Sequence, residues 1–267
     1  MVNFNLGRFV GHLLPGSIFI GFASFFLLLA LKRGRNLPPN NNKTFCELHV
    51  PERDRKILRS FGNTIMCLTA VGMIVEATGG VITFGNPFFQ LMHIEMYFSF
   101  FAVGMISVLE SKRLVPPDTV RLALGIVTLL SGLIAYGHAA MKTTMAGQET
   151  HFIWCYQYFV TGATFLYSVK YPSSLFGYIL GYSMLLLLGV WTITLASQIC
   201  CFEYTAHFVP TVYGMETVAL LGSIVAVAVI FLPKPENENL EDTEDYELLK
   251  TTVTVAEGDS EEDEEMM

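Results

Sequence analysis

Leu175–Ser197 reads LFGYILGYSMLLLLGVWTITLAS, a run without one charged residue or histidine. A helix needs about 20 mostly apolar residues to cross a hydrocarbon layer of about 30 Å. This run meets that length, and its apolar residues surround the helix instead of forming one stripe, as expected of a helix solvated by lipid or by other helices. Working outward, six further stretches share the pattern, roughly Phe9–Leu31, Ile57–Ala77, Phe88–Leu109, Thr119–His138, Phe152–Val169 and Val212–Leu232. The runs are continuous, whereas barrel strands alternate in polarity and span in about 10 residues. The predicted fold is therefore all-α: a polytopic membrane protein with a seven-helix transmembrane bundle over residues 1–232 and a disordered acidic C-terminal tail over 233–267.

Composition agrees. Over 267 residues 52% are hydrophobic and 15% charged, with a mean hydropathy of +0.47, well above ordinary soluble domains. The net charge of -8 is segregated: residues 1–233 hold 14 basic and 10 acidic side chains, and 234–267 hold 2 and 14. The membrane body is thus mildly basic and the tail strongly acidic, and nothing suggests a nucleic-acid partner. The five cysteines, Cys46, Cys67, Cys155, Cys200 and Cys201, have no framework or CxxC spacing. The adjacent Cys200-Cys201 reads best as two small residues at a helix end.

Basic residues in the short connections set the expected orientation. Eight flank or fill the first connection, from Lys32 to Arg59; Lys112, Arg113 and Arg121 border the third, Lys170 the fifth, and Lys234 and Lys250 follow the last span. Only Arg8 and Lys142 fall on the other side, so the N-terminus is predicted exoplasmic and the C-terminus cytosolic. The first span reads as a signal-anchor: its core is long, no small-x-small cleavage site follows, and Lys32-Arg33-Gly34-Arg35 comes directly after it.

The tail cannot bury a core, because Glu261-Glu262-Asp263-Glu264-Glu265 repels itself. Within it Glu244-Asp245-Tyr246-Glu247-Leu248-Leu249 fits two sorting grammars, an acid four before a Leu-Leu pair and Tyr-x-x-bulky apolar. Clathrin-adaptor-type proteins read such signals in extended form, so Glu244, Tyr246, Leu248 and Leu249 are the expected sorting residues. The expected location is the plasma membrane or endosome- and Golgi-type compartments.

Ionisable residues near the spans collect towards the predicted exoplasmic half: His12, Glu76, His93, Glu95, His138, His151, His207 and Glu216, with only His49 among the histidines on the other side. Such groups are costly in a bilayer and commonly face a bundle interior. Residues two apart on a helix point about 200° apart, so His93, sharing a face with Tyr97, and Glu95, sharing one with Ser99, cannot serve one cavity. His138 and His151 flank a short turn that can bring them to His93. Three imidazoles suit zinc or another borderline metal, and haem ligation by two of them is formally open. The metal candidates are His93, His138, His151 and Glu216. The ordinary alternative is that histidine and glutamate gather at the polar border, a reading that fits Glu76 and His12 best. Trp191 reads as an interface anchor or packing residue, and Gly177-x-x-x-Gly181 as a site of close helix packing or contact with a second copy in a homodimer.

The segment Gly11-His12-Leu13-Leu14-Pro15-Gly16 resembles the G-H-x-L-P-G signature of the transmembrane protein 45 family. His93-Ile94-Glu95-Met96-Tyr97-Phe98 resembles that family's H-x-x-M-Y-F stretch, Tyr136-Gly137-His138 its Y-x-H ending of helix 4, His151 its histidine opening helix 5, and Trp191 is similarly placed in helix 6. The resemblance covers roughly residues 9–232, and it implies a seven-helix multi-pass protein of uncharacterised activity. The chain departs from the pattern: it has Met92-His93 where the family has a double histidine, His138-Ala139-Ala140 where it has H-x-H, and Glu216 near the place of a late helix 7 histidine.

Three functions are consistent with this layout. The first is a non-enzymatic membrane protein with an exoplasmic-side ligand or metal pocket. The second is a metal-dependent intramembrane lipid hydrolase, for which His93, His138, His151 and Glu216 are the available set. The third is a seven-helix receptor, which the sequence disfavours: helix 3 ends Val108-Leu109-Glu110-Ser111-Lys112 without an acid-Arg-aromatic motif, and helix 7 lacks Asn-Pro-x-x-Tyr. Related halves of a transporter are not visible. The orientation is checked at the N-glycosylation sequon Asn42-Lys43-Thr44, in the first connection. Asn42 is expected to stay unmodified in cells, and glycan found there would invert the topology.

Overall fold

Long uncharged runs leave the backbone no partner but itself in a bilayer, and the chain answers with helices. The computed structural model describes residues 6–35, 52–84, 87–172, 174–200 and 208–231. Among them every regular element is a long helix: α1 Leu6–Arg35, α2 Glu52–Phe84, α3 Pro87–Ser111, α4 Thr119–Ala140, α5 Met145–Lys170, α6 Leu175–Cys200 and α7 Val209–Phe231. All seven coincide with the expected stretches and extend beyond most of their ends. Six, all but α5, contain stretches long and apolar enough to cross a membrane, with mean hydropathy from 1.3 to 2.2. The chain is accordingly a helical, multi-pass membrane protein. The tail, the sorting residues Glu244, Tyr246, Leu248 and Leu249, the sequon, His49, His207, Cys46 and Cys201 lie outside the described residues.

Each helix runs opposite to the one before it. At one end of the bundle the beginning of α1 meets the end of α2, and the beginning of α3 meets the ends of α2 and α4. The beginning of α5 meets the ends of α4 and α6. Backbones approach closely where glycines face glycines. A Cβ on Gly16 would lie 2.9 Å from the Gly189 carbonyl (α1–α6), one on Gly62 2.7 Å from that of Gly104 (α2–α3), and one on Gly162 3.0 Å from that of Gly125 (α4–α5). Small residues allow this approach, which is where packing in lipid gains most. Gly177 and Gly181 are used in the same way inside the chain, against Ser168 and Phe165 of α5.

The fifth helix is the unusual one. Its buried side chains are Thr150, His151, Trp154, Cys155, Gln157, Tyr158, Thr161, Phe165 and Ser168, with Gly162 among them, a mostly polar stripe at helical spacing. Its other side exposes Tyr156, Val160 and Tyr167. The low apolarity of α5 thus belongs to its inward face, which is clamped along its length: Trp154 Nε1 donates to Thr192 at 2.9 Å, Trp191 Nε1 to the Thr150 carbonyl at 3.3 Å, and Arg121 Nη1 to the Ser168 carbonyl at 3.0 Å. Trp191 is fully buried and is a packing residue, not an interface anchor.

At the end of the bundle away from the α4–α5 turn, Glu110 accepts from the backbone N–H of Asp118 at 3.2 Å and Val120 at 2.8 Å, satisfying the start of α4. Arg121 is buried there, paired with Asp118 at 2.6 Å and stacked 3.6 Å from the Tyr178 ring centre, while Tyr178 donates to Asp118. This cation is matched on every side, which is how a buried guanidinium is tolerated. The glycine contacts give a direct test. Gly16→Val or Gly189→Val is expected to cost about 1–3 kcal/mol through overpacking, read as a lower Tm in detergent. Gly21→Ala, whose Cβ meets nothing within 4 Å, is expected to hold or slightly raise Tm, because alanine is the better helix former.

Candidate functional site

Alternating helix directions gather residues that are far apart in sequence. His12 lies two turns into α1, Glu76 near the end of α2, His93 in the second turn of α3, His138 in the last turn of α4 and His151 in the second turn of α5. Their imidazoles form a closed ring, with centres 5.8 Å apart for His12–His93, 5.6 Å for His93–His138, 5.1 Å for His138–His151 and 6.2 Å for His151–His12.

Local sequence explains how the ring assembles. Thr144 caps α5 by accepting from Gly147 N–H at 3.1 Å, and Gln148 Nε2 donates to the Lys142 carbonyl at 2.8 Å, closing the α4–α5 turn tightly. The helix therefore starts at Met145, two turns earlier than the apolar run suggests, and His151 sits within it instead of opening it. Lys142, in that turn, acts electrostatically on both His138 and His151. Gly11 leaves room for Glu76, whose Oε1 would lie 2.8 Å from a Cβ there. Pro15, inside α1, has no N–H to give the Gly11 carbonyl, which loosens that turn.

Two of the imidazoles have a fixed orientation. His93 Nδ1 donates to Glu76 Oε2 at 3.2 Å, and His151 Nδ1 donates to the Gly147 carbonyl at 2.7 Å. Carboxylate and carbonyl oxygens accept, so in each neutral ring the hydrogen is on Nδ1 and the lone pair on Nε2. Neither Nε2 carries a hydrogen bond, and His151 is only 1% exposed. Trp154 supports the ring from below, its centre 5.8 Å from that of His12 and 6.1 Å from that of His151, and is itself packed on Tyr158.

Beside the ring lies a small, mainly apolar cleft with room for about one water molecule. His12 and Pro15 of α1, Thr69 of α2, His93 and Tyr97 of α3 and Trp154 of α5 line it. As the side chains stand, no three His, Cys, Asp or Glu groups among the described residues converge on one point that would hold a metal ion.

Of the residues singled out in the sequence, His93, His138 and His151 come together. Glu216 is not part of the ring: its Oε1 accepts from the Thr194 hydroxyl between α6 and α7. Glu95 is exposed, as its angular distance from His93 requires. His12 and Glu76, which border positions would explain equally well, belong to the cluster. The signal that could have found them is alternation itself, which puts the start of α1 and the end of α2 at the level of His93. No protein-family model and no curated protein matches the chain.

The prop under the ring can be tested by Thr192→Val. Shape is kept, but the buried Trp154 N–H loses its acceptor, which is expected to cost about 1–3 kcal/mol. A lower Tm, together with altered tryptophan fluorescence, would register it.

Proposed function

We propose that this chain is a seven-span membrane protein of the transmembrane protein 45 type that binds a ligand through buried imidazoles at its exoplasmic end, without catalysing a reaction. The observation that carries this reading is the convergence of four histidines and one glutamate from five helices on one level of the bundle. Isolated ionisable groups at membrane depth are costly, and five of them meeting beside a cleft is the arrangement of a binding site.

Support for a seventh span comes from α5. It is 26 residues long, and it is bonded near one end to α6 through Thr150–Gln198 and near the other to α4 through Ser168–Arg121. A helix flanked along its length by two spans crosses with them, its polar side chains sheltered by the bundle. Orientation follows the basic connections, which places the histidine ring near the exoplasmic leaflet and the tail among cytosolic adaptors.

A hydrolase would need a carboxylate at the metal for acid–base work. Glu216 is engaged with Thr194, and Glu76 is engaged with His93, so binding fits the donor set better than catalysis. Impermeant thiol reagents test the architecture. Thr143→Cys, in the α4–α5 turn, is expected to gain label on intact cells, and Tyr171→Cys, after α5, only once cells are permeabilised. Both gaining label from one side would remove the seventh span. For the tail, Leu248→Ala with Leu249→Ala and Tyr246→Ala is expected to shift the steady-state location, and an unchanged distribution would dismiss the sorting signal.

A further inference from the structure

We propose that His12, His93, His138 and His151 are the ligands of a divalent transition metal of the zinc class, with Glu76 holding His93 in the ligating orientation. This rests on the reading of the ring as a binding site and names what it binds.

The first argument is spacing. With Zn–N bonds of about 2.0–2.1 Å, the ring centres of tetrahedral imidazole ligands stand roughly 5 Å apart. The four consecutive separations here run from 5.1 to 6.2 Å, so each ring already stands near that distance from its two neighbours in the ring. The nitrogens do not yet point to one centre, and the ring contacts are edge-on or tilted. The proposal requires His12 and His138 to turn into line, while His93 and His151 keep the orientation that their Nδ1 bonds give them.

The second argument is independent of spacing. Histidines that bind metal almost always donate the other ring N–H to a carboxylate or a backbone carbonyl, which fixes tautomer and direction. His93 and His151 do this, to Glu76 Oε2 and the Gly147 carbonyl. Each keeps an Nε2 lone pair in a buried place without a hydrogen bond.

Chemistry selects the ion. Nitrogen-only imidazole sets suit zinc, copper, nickel and iron and are poor for magnesium or calcium. A dication in the bundle needs negative charge near it, and Glu76 supplies one on the first ligand it touches. Four protein ligands fill a tetrahedron and leave no open position, as in structural sites and not catalytic ones, in keeping with binding as the function.

The test uses the full chain, without a polyhistidine tag, purified in detergent and stripped with chelator. Titration with cobalt(II) is expected to give one ion per chain and the intense visible bands of a four-coordinate site, displaced by zinc. His93→Ala and His151→Ala are expected to abolish those bands, and His49→Ala to leave them. Glu76→Gln, which keeps every proposed ligand, is expected to weaken zinc binding about 10–100-fold. Size-exclusion profile and helical circular dichroism check folding first. Should the alanine variants fail to fold, Glu76→Gln and X-ray absorption of the cobalt-loaded wild type, expected to show nitrogen ligands only, decide the matter. Binding unaffected by Glu76→Gln overturns the role given to Glu76, and folded wild type that takes up no cobalt at one equivalent overturns the metal assignment. Such a result alongside the expected thiol labelling leaves the seven-span reading intact and removes the metal alone.

Discussion

The inward polar face of α5 ties α4, α6 and α7 together. Buried hydroxyls, amides and indole N–H groups are costly without partners, and several on that helix find them in neighbouring helices. Thr192, Gln198 and Tyr213 meet it from α6 and α7, and Arg121 meets its far end from α4. These bonds hold α5 in register with its neighbours, and a glycine pair, Gly125 with Gly162, lets the α4 and α5 backbones approach closely. A helix that looks marginal for a bilayer when read alone is the one around which the more apolar helices are ordered.

The same constraint positions the histidines. His151 belongs to the polar stripe of α5, one residue from Thr150, whose carbonyl receives the Trp191 indole. Trp154, a turn later, is bonded to Thr192 and carries the rings of His12 and His151. Holding that indole therefore holds two of the imidazoles. His138 arrives because the capped turn after α4 is short, and His93 because Glu76 reaches it from α2 past Gly11.

The two ends of the bundle use ionisable groups differently. Around Arg121 every donor is met by Asp118, the Ser168 carbonyl or the face of Tyr178, and the cluster is a strut tying α4, α5 and α6. Around the histidines, hydrogen bonds fix the orientation of two rings while their Nε2 atoms make none. A matched network resists change, whereas oriented lone pairs beside a cleft are suited to receiving something. This contrast, more than the count of histidines, separates a structural cluster from a site.

By itself the sequence determined the helices and their approximate ends. Hydrophobic runs of span length depend only on local composition, and continuous runs of that length cross a bilayer as helices, since barrel strands are shorter and alternate in polarity. It also brought His93, His138 and His151 into consideration and separated Glu95 from His93, because helical angle is a local property. Tertiary structure alone decided that His12 and Glu76 join them, that Glu216 serves Thr194, and that Trp191 and the Gly177–Gly181 pair are buried within the chain. Those outcomes turn on which helix lies beside which and how each is rotated. That information resides in packing between residues tens to more than a hundred positions apart, and no window of sequence contains it.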